Sequence, residues 1–380
     1  MFVMPCNRAL LGFNIRIKRI QSTKQTDSTK NTMKKILTST ALLFLALALQ
    51  SDACTRLVYH GEGGRTLTAR SMDWKDDMRS NLWILPRGSE RNGEAGPNSI
   101  EWTSTYGSVI ATAYDFASAD GLNEAGLMAN MLWLVESEYP EMDESKPWLA
   151  SSLWAQYLLD QFATVAEAVA HLEEVPFVLV TDRMPGTQRM ATVHLSLSDK
   201  TGDSAIIEYI DGRQVITHGR QYQVLTNSPT FEQQLALSEY WKSIGGTTML
   251  PGTNRAADRF ARATFYVNAI PQVEDRRKAT AGVFSVIRNC SVPFGINTEH
   301  EPNISSTRWR VVADHKDLRY YFESAVSPNV FWVDLKKVDF TADAGVRKLD
   351  LGKDSGRLIA GEASGLFEVA KPFKFQSLNL

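Results

Sequence analysis

The sequence places a cleavable leader ahead of everything that can fold. Met33-Lys34-Lys35 is a short cationic start, Ile36 to Leu49 is almost unbroken apolar, and Ser51-Asp52-Ala53 supplies a small-x-small pattern directly before Cys54. The apolar run is too short to span a bilayer comfortably, so a stable membrane anchor is not expected. Residues 1–32, basic and polar, read as an over-long start with no fold signal. The expectation is a signal peptide over 33–53 and a folding chain from Cys54 to Leu380, exported from the cytoplasm.

Charge and cysteine usage narrow the class. Setting aside the eight basic and two acidic residues of the first 53 from totals of 41 and 43 leaves a formal charge of about −8 on the remaining 327 residues. An acidic balance argues against nucleic acid as a partner and for a soluble exported protein. With Cys6 in the leading segment, only Cys54 and Cys290 remain, which is no disulfide framework. Cys290 follows an apolar helical stretch and reads as a small core residue.

Processing would make Cys54 the N-terminal residue, with a thiol and a free α-amine on the same residue. An unperturbed α-amine has a pKa of roughly 7.7–8.0. It can draw the thiol proton during nucleophilic attack and return it to a leaving amine, with no separate histidine. Two other readings stay open at this level. Cys54 is a lipid attachment site on a non-catalytic binding protein, although Ser51 stands where such sites want a Leu-like residue; or it is an ordinary buried cysteine beside a chance cleavage pattern.

Periodicity predicts strands at Thr55–Tyr59 and Thr66–Ser71, joined through Gly61-Glu62-Gly63-Gly64 as a hairpin. Further strands are predicted at Leu82–Leu85, Val109–Ala113 and Leu127–Leu134, with Asp120-Gly121 as a turn between the last two. From Pro147, read as a first-turn residue, to His171 the spacing is helical. Strands return at Thr192–Leu197, Ser204–Tyr209, Gln214–Thr217 and Gln223–Thr226. Helices follow at Phe231–Ile244, Arg255–Val267 and Ala279–Arg288, then strands at Thr307–Asp314, Leu318–Ser324 and Val330–Asp334. Sheet, helices, sheet and helices without a linker predict one layered α+β domain over 54–380, two sheets faced by helices.

The common catalytic and metal signatures are absent: no G-x-S-x-G, H-E-x-x-H, P-loop or C-x-x-C occurs, and the six histidines show no ligand spacing. Other constellations have a chemistry to offer. Arg70-Ser71-Met72-Asp73-Trp74 ends the second strand; a cation there favours a thiolate and a carboxylate near the α-amine holds that group. Strand alternation puts Arg70 and Asp73 on opposite faces, so a bulge or turn is needed to bring both to one site. Asn227, in Thr226-Asn227-Ser228-Pro229, can donate to an oxyanion, and Arg259 opens a helix. Each also has a plain reading, as a solvated strand end, a turn residue and a surface arginine.

Together these segments resemble the choloylglycine hydrolase family of N-terminal-nucleophile hydrolases, which holds penicillin V acylases and conjugated bile salt hydrolases. The motifs that carry the resemblance are Cys54-Thr55-Arg56, Arg70-Ser71-Met72-Asp73-Trp74, Asp120-Gly121-Leu122-Asn123-Glu124, Thr226-Asn227-Ser228-Pro229 and Arg259-Phe260, in that order. The resemblance implies a four-layer αββα fold and hydrolysis of linear amides through a thioester on Cys54. It implies that Arg70 sits beside the thiol, Asp73 holds the α-amine, Asn227 contributes an oxyanion donor and Arg259 supports the site electrostatically. It implies no metal or organic cofactor, a small-molecule amide substrate and a homotetramer. Many bile salt hydrolases carry an Asn where this chain has Trp133, whose backbone N–H can still serve the oxyanion. Trp133 with Trp74 offers a flat apolar wall, unless both are plain core residues. That pair, with Leu132-Trp133-Leu134-Val135-Glu136-Ser137-Glu138-Tyr139-Pro140, resembles the Gram-negative penicillin V acylases, a subgroup that includes acylases of N-acyl homoserine lactones and implies a periplasmic location. Conjugated bile salt hydrolysis is the alternative within the family.

Overall fold

The computed structural model describes residues 53–184, 187–297, 305–352 and 358–378. The segment 1–32 and the expected leader up to Asp52 lie outside the described residues, as does His300. In chain order the strands of the two large sheets begin with β1 (Ala53–His60), β2 (Thr66–Trp74), β3 (Leu82–Leu85), β4 (Ser108–Ala113), β5 (Ala117–Asn123) and β6 (Met128–Trp133). Helices α1 (Trp154–Gln161) and α2 (Val165–Glu173) precede β7 (Val193–Ser198), β8 (Ser204–Ile210), β9 (Arg213–His218) and β10 (Val224–Leu225). Three helices follow, α3 (Phe231–Ile244), α4 (Ala256–Ala269) and α5 (Arg276–Asn289). The chain then adds β11 (Ser306–Asp314), β12 (Arg319–Ser324), β13 (Val330–Asp334), β14 (Arg347–Leu349), β15 (Gly361–Glu362) and β16 (Glu368–Val369).

One sheet has the order β10-β1-β2-β11-β12-β13-β15 and the other β9-β8-β7-β6-β5-β4-β3-β14-β16. Helix α4 packs on β1 and α5 on β2 and β11, while α1 packs on β5 and β6 and α2 on β8 and β9. The result is the expected αββα layering, with the sheets face to face in the middle. Sandwiching explains why β2 shows no alternation: all nine of its residues are buried, because one face meets the other sheet and the other face meets helices.

The space between the sheets is crossed by buried polar contacts as well as apolar packing. Arg56 Nη2 donates to Leu197 O at 2.8 Å, the Thr68 and Ser198 hydroxyls meet at 2.8 Å, and Arg70 Nη2 donates to Met131 O at 2.9 Å. Tyr320 donates its hydroxyl across to Asp120 Oδ1 at 2.6 Å, and Asn130 Nδ2, on the adjacent strand of the same sheet as Asp120, donates to its Oδ2 at 2.6 Å. Each satisfies a group that would otherwise be desolvated without a partner.

Most predicted elements are present within a residue or two, and three expectations are corrected. Asp120-Gly121 is no turn. Both lie inside β5, and the reversal is made by Asn123 to Gly126, where Asn123 Oδ1 accepts from Ala125 N and Leu127 N. Gly121 is there for close approach. A Cβ would stand 2.7 Å from Ile110 Cγ2 and 2.8 Å from Leu159 Cδ1, so the glycine lets α1 settle on the sheet. Pro147 starts no helix. It precedes a short strand, Trp148–Ala150, paired in parallel with Val178–Val180, and the helix begins only at Trp154. Finally, β2 contains no bulge. The register shift falls in its neighbour β11, at Arg308 between Thr307 and Trp309.

Burial pushes the Asp120 carboxyl up to about 6, against the opposing effects of Arg70 and the Tyr320 and Asn130 hydrogen bonds. A carboxyl raised on folding binds its proton more tightly in the native state, so its stabilisation is full below about pH 4 and is lost as pH rises to about 6. A shift of two units corresponds to about 3 kcal/mol. In urea unfolding between pH 4 and 7, the stability of the wild type relative to Asp120→Asn should fall by about that amount. A pH-independent difference would contradict this environment for Asp120.

Candidate active site

Strand register assembles the site around Cys54. In the β1–β2 ladder Cys54 is paired with Met72 and Arg56 with Arg70, which puts all four side chains on the face toward the other sheet. In the β1–β10 ladder Arg56 is paired with Leu225, so continuing the antiparallel count brings Asn227 opposite Cys54. The turn residues after β10 are thus delivered to the backbone of the candidate nucleophile.

The thiol is buried, with 3% of the residue exposed. Arg70 Nη2 lies 3.5 Å from Cys54 Sγ, and Met72 Sδ and Asp73 O lie at 3.9 and 4.0 Å. Arg70 stays on the inter-sheet face, its guanidinium 4.6 Å from the Trp309 ring centroid, and its Nε and Nη1 have no hydrogen-bond partner. Burial pushes the Cys54 thiol up, with Arg70 the main opposing influence. A nucleophile held in its neutral form needs a proton acceptor at the moment of attack.

On the opposite face of the strands lies a second cluster. Arg259, in the first turn of α4, donates Nη1 to Cys54 O at 2.6 Å and to Thr55 Oγ1 at 2.5 Å. Its Nη2 donates to Asn227 Oδ1 at 3.0 Å, and Nη1 stands 3.8 Å from Asp73 Oδ2. Arg259 is fully buried, so it is no surface arginine; burial pulls its pKa down and Asp73 counters. Asp73 is also fully buried and is pushed up by desolvation, with Arg259 the strongest opposing influence. Thr307 donates to its Oδ1 at 2.5 Å and Ser71 to its Oδ2 at 3.3 Å.

Asn227 Oδ1 accepts from Cys54 N, and Nδ2 donates to Trp133 O at 2.8 Å. An amide nitrogen carries two protons, so one remains for an oxyanion. Trp133 turns its carbonyl toward Asn227, and in a strand the N–H points to the same side as the carbonyl. Arg70 thus lies beside the thiol, Asn227 beside the Cys54 nitrogen and Arg259 at the Cys54 carbonyl. Asp73, expected to hold that nitrogen, differs: the Cys54 nitrogen meets Asn227 Oδ1, and the Asp73 carboxylate is engaged by Thr307, Ser71 and Arg259. The register still sets Asp73 opposite Ala53, one position from the amine that processing would free.

Trp74 and Trp133 lie with ring centroids 5.4 Å apart at 52°, 5% and 6% exposed. Trp74 Nε1 is held by Tyr114 Oη at 3.0 Å, and the Arg189 guanidinium lies 4.0 Å from the Trp133 ring centroid. Trp133 Nε1 has no partner. The two rings meet although they arise on different sheets, Trp74 two residues beyond the strand partner of Cys54 and Trp133 next to Asn227. Sequence reasoning missed Thr307, Thr55 and Trp309. Thr307 and Trp309 sit in a predicted strand with no local signal, since their partners are more than 230 residues away; Met72 was readable from its alternation with Arg70. Cys290 is buried, its thiol pushed up to about 11 by desolvation, as suits an unreactive core cysteine.

Removing one partner of a buried charge pair leaves the other uncompensated, at a cost of about 3–5 kcal/mol. Arg259→Met should therefore lower the urea unfolding free energy by about that much, and Asp73→Asn added to it should recover part of the loss. A loss under about 1 kcal/mol would mean that Arg259 does not organise this cluster.

Residues 54–348 match the family model described as linear amide C–N hydrolases, choloylglycine hydrolase family. The chain is 54% identical over 374 residues to penicillin V acylase of Pectobacterium atrosepticum, covering 92% of this chain and all of the relative. Its structure matches that of penicillin V acylase from Agrobacterium tumefaciens with a TM-score of 0.80 and 61% identity, over 86% of this chain and all of the other. A mutant of the conjugated bile acid hydrolase from Clostridium perfringens matches with a TM-score of 0.66 at 22% identity, over 76% of this chain and 94% of the other; that likeness speaks for the fold alone. The family match begins at Cys54, the residue on which the strand registers converge, and the chain belongs to the choloylglycine hydrolase family of linear amide C–N hydrolases.

Proposed function

We propose that the mature protein starts at Cys54, resides in the periplasm and hydrolyses the side-chain amide of penicillin V, with N-acyl homoserine lactones as a second substrate class. The observation that carries this reading is the Trp74–Trp133 pair, which the strands bring to the Cys54 end of the sheets: Trp74 lies two residues beyond Met72, the strand partner of Cys54, and Trp133 O meets Asn227; their ring faces suit a phenoxyacetyl or aliphatic acyl group. Two relatives more than half identical carry the name penicillin V acylase, which supports it.

In this reading the α-amine of Cys54 takes the thiol proton as Sγ attacks the amide carbonyl carbon. Negative charge moves to the carbonyl oxygen, where the free Asn227 Nδ2 proton and the Trp133 N–H receive it. Arg70 stabilises the developing thiolate. The intermediate collapses by breaking the C–N bond, and the leaving nitrogen takes the proton back from the α-ammonium. The acyl group then sits on Sγ as a thioester. Water, losing its proton to the same amine, adds to the thioester and releases a carboxylic acid and the free thiol. Arg259 touches none of the reacting atoms. It positions Cys54 through the carbonyl of Cys54 and through Asn227.

Initial rates on penicillin V, an N-acyl homoserine lactone and glycocholate, with the N-terminus confirmed as Cys54, test the substrate assignment. Faster cleavage of penicillin V is expected; faster cleavage of glycocholate would reassign the site to steroid amides. Cys54→Ser, correctly processed, should lose about 10³-fold or more of the penicillin V rate. One extra residue ahead of Cys54 should cost about 10²–10⁴-fold, the usual worth of a general base. Activity retained in the extended protein would exclude the α-amine as that base. Intact mass of the exported protein would expose an acylated, lipid-anchored Cys54.

A further inference from the structure

Arg308 is the residue that the bulge pushes out of the β2–β11 ladder. Its Nε donates to Trp74 O at 2.8 Å and its Nη2 to Lys75 O, and the guanidinium lies 5.2 Å from the Phe294 ring centroid. These partners are all neutral. Nothing among the described residues gives Arg308 a carboxylate partner, whereas the neighbouring strand arginine, Arg310, is paired with Glu323 at 3.0 Å. Arg308 is therefore a cation fixed in place by two backbone carbonyls with charge to spare.

It faces a cavity of about 810 Å³ whose wall also includes Met78, Tyr114, Trp309 and Phe322. Two of its wall residues touch the cluster around Cys54. Tyr114 holds the Trp74 indole, and Trp309 lies under the Arg70 guanidinium that reaches Cys54 Sγ. Of the acidic groups on the wall, Asp115 and Asp350 share Lys348 at 2.9 and 3.1 Å, while Asp77, which accepts from Arg79 N, is balanced on the same wall by the Arg79 side chain's charge, leaving that of Arg308. Arg79, Tyr114 and Asp115 hold φ values of +45°, +54° and +52°, which side-chain-bearing residues rarely adopt. Strain of this kind persists where surrounding structure enforces a shape, often at ligand sites.

We propose that Arg308 is a specificity-determining residue that binds an anionic group on the amine half of the substrate. The assignment rests on the reading that Cys54 cleaves an amide whose acyl group lies against Trp74 and Trp133. With the acyl half on those rings, the cavity beyond Trp74 takes the other half. In penicillin V that half bears a carboxylate, which an arginine fork recognises; in an acyl homoserine lactone it bears none. Bulges beside active sites commonly re-aim a side chain in this way.

The test is a matched pair, phenoxyacetylglycine and phenoxyacetylglycinamide, which share the scissile amide and differ only in the carboxylate. Arg308→Gln should lower the ratio of kcat/KM for acid over amide by tenfold or more, mainly through KM, and Arg308→Lys should retain part of the ratio. In the wild type, ~0.5 M salt should raise KM for the acid and leave that for the amide within twofold, a check that needs no variant to fold. An unchanged ratio in Arg308→Gln, or equal salt effects on both substrates, would overturn the assignment. Wild-type protein that cleaves penicillin V but neither small amide would overturn it as well and leave the acylase reading standing. Protein that cleaves none of the three would overturn the acylase reading first.

Discussion

A buried guanidinium organises the candidate site of this chain. Arg259 binds the carbonyl of Cys54, the hydroxyl of Thr55 and the amide oxygen of Asn227, and stands near the Asp73 carboxylate. Those four residues come from β1, the turn after β10 and the end of β2, and nothing in their own strands requires them to meet. An arginine can do this because its donors radiate in a fixed plane, so several acceptors are held at set angles at once. Desolvating it is costly, and the nearby buried carboxylate with four oxygen acceptors, Asn254 O being the fourth, is what offsets that cost.

The two faces of the seven-stranded sheet divide the chemistry. On the inner face are the thiol, Arg70 and Met72, in contact with the other sheet through Met131. On the outer face are Arg259, Asp73 and Thr307, under the helices. Thr307 and Trp309 have the same parity and would share a face in a regular strand. The bulge at Arg308 separates them, so that Thr307 holds Asp73 on one side while Trp309 supports Arg70 on the other. One irregularity thus serves both halves of the site.

Burial has an electrostatic consequence for Cys54. Desolvation raises the Cys54 thiol and the Asp73 carboxyl and lowers Arg259, so each neighbour resists isolated ionisation. Charge in such a place is stable only as a set. The α-amine proposed as proton acceptor suits that condition, since it lies on the same residue as the thiol, the proton moves a short distance and no remote charge has to be brought in.

Composition and pattern alone determined most of the strands and helices and the layered α+β class. They did so because burial on one or two faces writes a period into the sequence. Asp120-Gly121 was misread since a glycine serving close packing against α1 looks the same, locally, as one serving a turn; Pro147 was misread because a proline is as much at home before a strand as in a helix. The assembly of the site belonged to tertiary structure. Arg70 and Asp73 are on opposite faces of one strand, and only the β1–β10 register, the placement of α4 and a bulge in a strand more than 230 residues downstream bring their partners to Cys54. Such contacts depend on long-range register, and a local sequence window carries no record of it.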